Sequence, residues 1–303
     1  MNHVIVQLTV DKQKNLEGVM DDYGLGSKAL VATLNIGTWS GRKYDSKATG
    51  IVMENVNAKG DCGRFNKLLV EHDSILKVYR IAAKARNFHY DNSLPWADEG
   101  CRLLPTKVYT KYVEGINQHS AEFWAAVDEF CELYDGMIQK ARIRLADLWN
   151  PEDYPTVDRV RNKFAFSVSF SFLPNPQTDF RLGLSEIEVD KIRASVEQTL
   201  KNTEENAQKD LWNRMNRIVE RIVERLGDPG KVFKKSTFEN IDELEKQVDF
   251  LNVAENVNIN DTMKKIKDEL TEYDPTEIRN DEKVRELVHN RAKDILNTIS
   301  SFV

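Results

Sequence analysis

Residues 154–176 read YPTVDRVRNKFAFSVSFSFLPNP, and the centre of this stretch decides the fold class. Phe164, Phe166, Val168, Phe170 and Phe172 alternate with Ala165, Ser167, Ser169 and Ser171. Only an extended chain turns that period into one apolar and one polar face. The rings are expected to form a core face covered by helices, with the serines toward solvent. Leu173, Pro174, Asn175 and Pro176 then end the strand, because proline cannot donate to a ladder.

Upstream, the spacing changes from strand to helix. Val113, Ile116, Phe123, Val127, Phe130, Tyr134, Ile138, Ala141, Leu145 and Leu148 keep one apolar stripe from about 108 to 148. A helix of that length is roughly 60 Å long at 1.5 Å per residue. Phe65, Leu68, Leu69, Ile75, Val78 and Ile81 predict another helix over about 63–88. Earlier still, Val4, Val6, Leu8 and Val10 alternate, as do Leu30, Ala32, Leu34 and Ile36, so both runs are expected to be strands.

Downstream the pattern is helical throughout. A helix over about 185–226 carries Leu211, Met215, Ile218, Ile222 and Val223 and stops at Gly227, Asp228, Pro229 and Gly230. Ser236 or Thr237 N-caps the next, with Phe238, Ile241, Leu244, Val248 and Leu251 on its apolar face. Met263, Ile266 and Leu270, then Val284, Leu287, Ala292, Ile295 and Ile299, mark further helices. The fold class is therefore α+β: a small antiparallel sheet with long helices, followed by a mainly helical C-terminal region. The expected domains are 1–180 and 181–303, with the boundary near 174–184.

The 303 residues are 41 % hydrophobic and 30 % charged, with a mean hydropathy of −0.53, the profile of a folded, water-soluble chain. No apolar run is long enough to span a membrane, and the opening MNHVIVQLTVDKQKN has neither a basic leader nor a small-residue cleavage site. A cytoplasmic location is the expectation. The net charge of −6 is unevenly spread: residues 1–100 carry +1, 101–182 carry −1 and 183–303 carry −6. A broad basic face for duplex DNA is thus not expected, although a local cluster on the first half could meet phosphate. Cys62, Cys101 and Cys131 are odd in number and far apart, as in reduced proteins, and the histidines show no zinc-ligand spacing. Phosphate-loop, dinucleotide, nucleophile-elbow and kinase signatures do not occur. No catalytic residue, metal or cofactor is expected.

The most informative motif is LNIGTWSGRKYD, residues 34–45. An alternating strand leads into Gly37, Trp39, Ser40, Gly41, Arg42 and Lys43. Such a turn can offer backbone N–H groups, a ring and a guanidinium to a carboxylate, a phosphate or an exposed base. It can equally be a hairpin turn whose Trp39 packs inward while Arg42 and Lys43 are surface charges. Arg86 and LPWADEGCRLLPTKVY, residues 94–109, supply Trp96, Arg102 and Lys107 on a rigid connection, or a core anchor with ordinary charges. Arg159, Arg161 and Lys163 stand just before the aromatic strand, an interleaving of cations and rings that single-strand-binding sheets also use.

Taken together, Trp39, Ser40, Gly41, Arg42 and Lys43 after a strand, Asn66 and Leu69 in the following helix, and Tyr154, Val160, Arg161 and Phe164 in the last element resemble a domain-of-unknown-function family of phages and integrative or conjugative elements. The resemblance covers about residues 25–180. It implies genes beside a AAA+ ATPase and a von Willebrand A-domain protein, and carries no catalytic residue. The expectation is a non-catalytic assembly or adaptor protein, homo-oligomeric, whose turn at Trp39, Arg42 and Lys43 docks such a partner. The alternative is a single-stranded nucleic-acid binding or annealing protein using Arg42, Lys43, Arg86, Arg102, Arg159 and Arg161. A phage structural protein is a third reading.

Overall fold

The computed structural model describes residues 25–96, 100–175, 185–228, 230–231 and 233–303. The strand expected at Val4–Val10 lies outside the described residues. The elements run α1 (Leu25–Lys28), β1 (Ala29–Gly37), β2 (Arg42–Tyr44), α2 (Ser46–Asn55), β3 (Asn66–Leu68), α3 (His72–Asp91), β4 (Leu94–Pro95) and β5 (Cys101–Pro105). They continue with α4 (Tyr109–Glu132), α5 (Tyr134–Leu145), α6 (Val157–Arg161), β6 (Ala165–Ser171), α7 (Glu186–Gly227), α8 (Ser236–Leu251), α9 (Val257–Leu270), α10 (Pro275–Asn280) and α11 (Glu282–Ser300). The class is α+β, with a small antiparallel sheet of order β4-β5-β1-β6, a two-stranded sheet of β2 and β3, and a mostly helical C-terminal region.

The chain forms two compact units that are discontinuous in sequence. One gathers Met1–Ala32, Ser93–Tyr109 and Phe170–Val303; the other gathers Thr33–Asn92 and Thr110–Ser169. This division differs from contiguous blocks of 1–180 and 181–303. The physical reason is in the cores: Ala29, Val31, Leu94 and Leu103 join the apolar cluster of the C-terminal helices.

The unit of Thr33–Asn92 and Thr110–Ser169 is built on α3 and α4. Ile75 and Val78 of α3, Phe123, Val127 and Phe130 of α4, Tyr134 of α5, and Phe164 share one core with Trp39. The helices meet closely at Gly115, where a Cβ would stand 2.3 Å from Cζ of Phe88. Phe88 stacks on Tyr112 at 5.8 Å, and the Tyr112 hydroxyl lies 2.7 Å from Nδ1 of His89.

Three expectations are corrected here. The helix anticipated from about 63 begins only at His72, because Asn66–Leu68 pair antiparallel with Arg42–Tyr44 in the register Arg42 to Leu68, Lys43 to Lys67 and Tyr44 to Asn66. The helix anticipated over 108–148 is interrupted at Leu133 and ends α5 at Leu145, followed by a 3-10 turn at Ala146–Leu148. The third concerns the phenylalanine face, which is not all core: Phe164 and Phe166 pack on Phe123, whereas Phe170 meets Tyr109 and Phe172 is 87 % exposed. Apolar cover ends partway along the strand.

The other unit centres on α7. Ser185 and Glu188 close its first turn as a capping box, and burial begins at Thr203. Ala207, Leu211, Met215, Val219, Ile222 and Leu226 then recur at intervals of three and four and join Val288, Ala292, Ile295 and Ile299 of α11 in one core. The helix ends where the Arg285 guanidinium donates to the carbonyls of Arg225, Leu226 and Asp228, which the last turn of a helix leaves without internal partners. Arg214, almost fully buried, donates to Asp210, Gln247 and the carbonyl of Ser93. Phe302 stacks on Trp212 at 4.4 Å. No described helix is long and apolar enough to cross a membrane.

Candidate functional site

The turn from Gly37 to Asp45 is fastened at every step, and the fastening decides which of its side chains face outward. At its start, a Cβ on Gly37 would lie 3.3 Å from that of Ala165, so the small residue lets β1 and β6 approach. Trp39 is 7 % exposed, with ring edges against Phe130 at 6.2 Å and Tyr134 at 5.9 Å. Its carbonyl accepts a hydrogen bond from the Tyr79 hydroxyl at 2.7 Å. Trp39 is thus a core anchor, and its ring is not presented to a ligand. Gly41 follows at φ +62°, where a side chain would be strained and a Cβ would sit 2.8 Å from Val70. The Gly41 carbonyl accepts from the Leu69 N–H at 2.7 Å.

The second fastening is a buried ion cluster. Lys67 is 5 % exposed, and its ammonium donates to Asp45 at 2.8 Å, to Asp153 at 2.7 Å and to the Leu148 carbonyl at 2.7 Å. All three of its donors are used. Burial works to lower the Lys67 pKa, but the hydrogen bonds and charges of Asp153 and Asp45 outweigh it and hold the value above that of ordinary lysine. The Ala48 N–H, followed by Lys67, holds Asp45 below the usual aspartate value. Asp45 is also the N-cap of α2. Arg144 donates to the Leu68 carbonyl and Tyr154 to that of Leu69, so β3 is held along its length.

What remains outward is a small pocket of about 160 Å³ lined by Ser40, Arg42, Leu68, Val70, His72, Ile75 and Tyr79. Its floor is apolar. Its rim carries an exposed guanidinium, a hydroxyl and the His72 imidazole, with the rings of His72 and Tyr79 at 6.1 Å. Burial raises the Tyr79 pKa, and Arg42 opposes that rise. Chemically, the pocket suits a short apolar group next to a carboxylate or another acceptor, which Arg42 and Ser40 can meet.

Exposed apolar residues also occur on the hairpin and on α2. Tyr44, Ile51, Val52, Val56 and Phe65 are all exposed, and they fall within one hairpin and helix. Local bonds bring them together: Asp45 N–H donates to the Phe65 carbonyl at 3.0 Å, and Phe65 N–H donates to the Thr49 hydroxyl at 3.0 Å.

The remaining candidate residues are spread across the two units. Lys43 and Arg159 are exposed. Arg86 is half-buried and donates to the Ile36 carbonyl at 2.9 Å. Arg161 donates to Asp128 at 2.9 Å and lies over the Trp124 ring at 5.0 Å. Arg102, in the other unit, donates to the hydroxyl and carbonyl of Ser93. Sequence reading missed Lys67, His72 and Tyr79. No local signal marks Lys67, whose acidic partners are distant in the chain, whereas Asp45 could have been recognised as a residue type that caps the helix after it. No family model, no curated protein and no solved structure matches this chain.

Proposed function

We propose that the protein is a non-catalytic adaptor that docks a protein partner through the Ser40–Lys43 turn and the exposed face of α2. The observation that supports this reading is the exposure of five large apolar residues, Tyr44, Ile51, Val52, Val56 and Phe65, on the β2–β3 hairpin and the α2 helix it encloses, the same hairpin that carries Arg42. Several large apolar side chains left exposed on one small substructure are a usual mark of an interaction surface. Arg42 at the rim would orient a partner carrying a carboxylate, and the apolar residues would supply burial. The resemblance carried by Trp39–Lys43 makes a AAA+ ATPase or a von Willebrand A-domain protein of a phage or mobile element the partner to test. Self-association through the same face belongs to this reading.

The test is co-purification of the full chain with a AAA+ ATPase of the kind the resemblance implies. Arg42→Glu and Ile51→Glu are each expected to abolish capture while leaving the circular-dichroism melt in place. Retained capture by both variants would remove the docking role. Single-stranded nucleic acid is the competing reading, and the burial of Trp39 and the internal bonds of Arg86, Arg102 and Arg161 weaken it. A labelled single strand is expected to show no salt-sensitive anisotropy change, whereas a log–log slope of about −0.7 per phosphate neutralised would establish the competitor.

A further inference from the structure

Independently of the docking turn, the end of α7 holds a second feature with an unmet chemical demand. Residues 217–235 carry Arg217, Arg221, Arg225, Lys231, Lys234 and Lys235 against Glu220, Glu224 and Asp228, a net +3 inside the region 183–303 that totals −6. Within this island a pocket of about 210 Å³ lies between α7 and α8. Arg221 and Arg225 line it one helical turn apart, so their side chains emerge on the same face of α7. Asn240, Gln247 and Thr237 of α8 line the other wall, above the apolar groups of Ile218 and Leu244. Glu243 is the one carboxylate among the lining residues.

Two observations indicate that the pocket is built for an external anion. The first is the state of its cations. Elsewhere in this unit Arg193, Arg214, Lys267 and Arg291 each pair with an acid, and Arg285 is spent on helix-end carbonyls. Among the described residues, neither Arg221 nor Arg225 has an ion pair or side-chain hydrogen bond, although like charges four residues apart on a helix repel. The second is Thr237, 6 % exposed, whose enclosed hydroxyl has no hydrogen-bond partner. A buried hydroxyl without a partner costs stability, as does an unrelieved pair of cations, and one bound oxyanion would relieve both.

We infer that the Arg221–Arg225 pocket is a binding site for a phosphoryl group. Two guanidinium forks together with the hydroxyl of Thr237 and the amide of Asn240 present more donors than the two oxygens of a carboxylate can accept. A phosphoryl group, with three peripheral oxygens, can use them. The group could belong to a free oligophosphate or to a nucleotide.

The experiment is calorimetric titration of the full chain with inorganic pyrophosphate, adenosine diphosphate and succinate. Pyrophosphate is expected to bind, and the double variant Arg221→Gln/Arg225→Gln to weaken binding by about tenfold or more, consistent with loss of charge-assisted bonds. Thr237→Val is expected to give a smaller loss, and Lys234→Gln/Lys235→Gln, in the same island but outside the pocket lining, less than Thr237→Val. Adenosine diphosphate binding more tightly than pyrophosphate would identify a nucleotide as the source; equal affinity would identify the free oligophosphate. The proposal is overturned if pyrophosphate does not bind the wild-type chain, if succinate binds as well, or if the lysine and arginine pairs lose affinity equally. Urea midpoints of all variants, matched to wild type, exclude unfolding as the cause.

Discussion

Two charge clusters of this protein, around Lys67 and around Arg221 and Arg225, solve opposite problems. Around Lys67 the cation meets two carboxylates and a carbonyl, nothing is left over, and the cluster serves to hold a hairpin against the turns at Leu148 and Asp153. Arg221 and Arg225 line a cavity and, among the described residues, form no ion pair. A satisfied cluster spends its charge on internal structure, whereas an unsatisfied one keeps it for something outside. The count of donors and acceptors, and not the presence of charge, separates a structural pin from a site.

The largest way to break the comparison is Lys67→Met. It leaves Asp45 and Asp153 enclosed without their cation, and a loss of about 3 kcal/mol or more is expected in urea unfolding. A loss within experimental error would mean that the cluster contributes nothing to folding. Gly115→Ala tests a different constraint in the same unit. The new Cβ would collide with Phe88, and a loss of about 1–3 kcal/mol is expected in the same measurement.

Acid sharpens the contrast further. The Asp45 pKa in the folded state lies below the ordinary 3.8, so its contribution is complete above 3.8 and is lost as pH falls below that value through the lowered folded pKa. The wild-type urea midpoint is therefore expected to fall more steeply than that of Asp45→Asn in this acid range, and parallel curves would show that Asp45 is not the group responsible. The smallest effect belongs to the other cluster. Arg221→Gln/Arg225→Gln removes no side-chain bond among the described residues and is expected to change stability by within about 0.5 kcal/mol. A large destabilisation there would make the arginines structural and erase the distinction.

How much of this was legible in sequence depends on how far apart the interacting residues are. The period of two over 164–172 located β6, and the stripe around Leu211 and Met215 located α7, because both patterns are local. Phe65, Leu68 and Leu69 satisfied helical spacing yet lie in or beside a strand, since pairing with Arg42–Tyr44 overrode the pattern. The motif at Trp39–Lys43 was recognisable, but whether its tryptophan faces inward rests on Phe130 and Tyr134, about ninety residues away. The Arg221–Arg225 pair was visible as two residues among many charges. Only the fold showed that, among the described residues, neither forms an ion pair and that Thr237 lines the same pocket.

The interleaving of the two units has a consequence for synthesis. The ribosome releases the chain from its N-terminal side, so the unit of Thr33–Asn92 and Thr110–Ser169 has all its residues before α7 exists. Ala29, Val31, Leu94 and Leu103 must wait, apolar and uncovered by their final partners, until the last helices emerge. During that interval the nascent chain carries a finished core beside an unfinished one, the state in which exposed apolar strands recruit chaperones or aggregate. Fragments that stop near residue 180 would make that transient state permanent, so the first unit is best expressed together with the helices of residues 185–303.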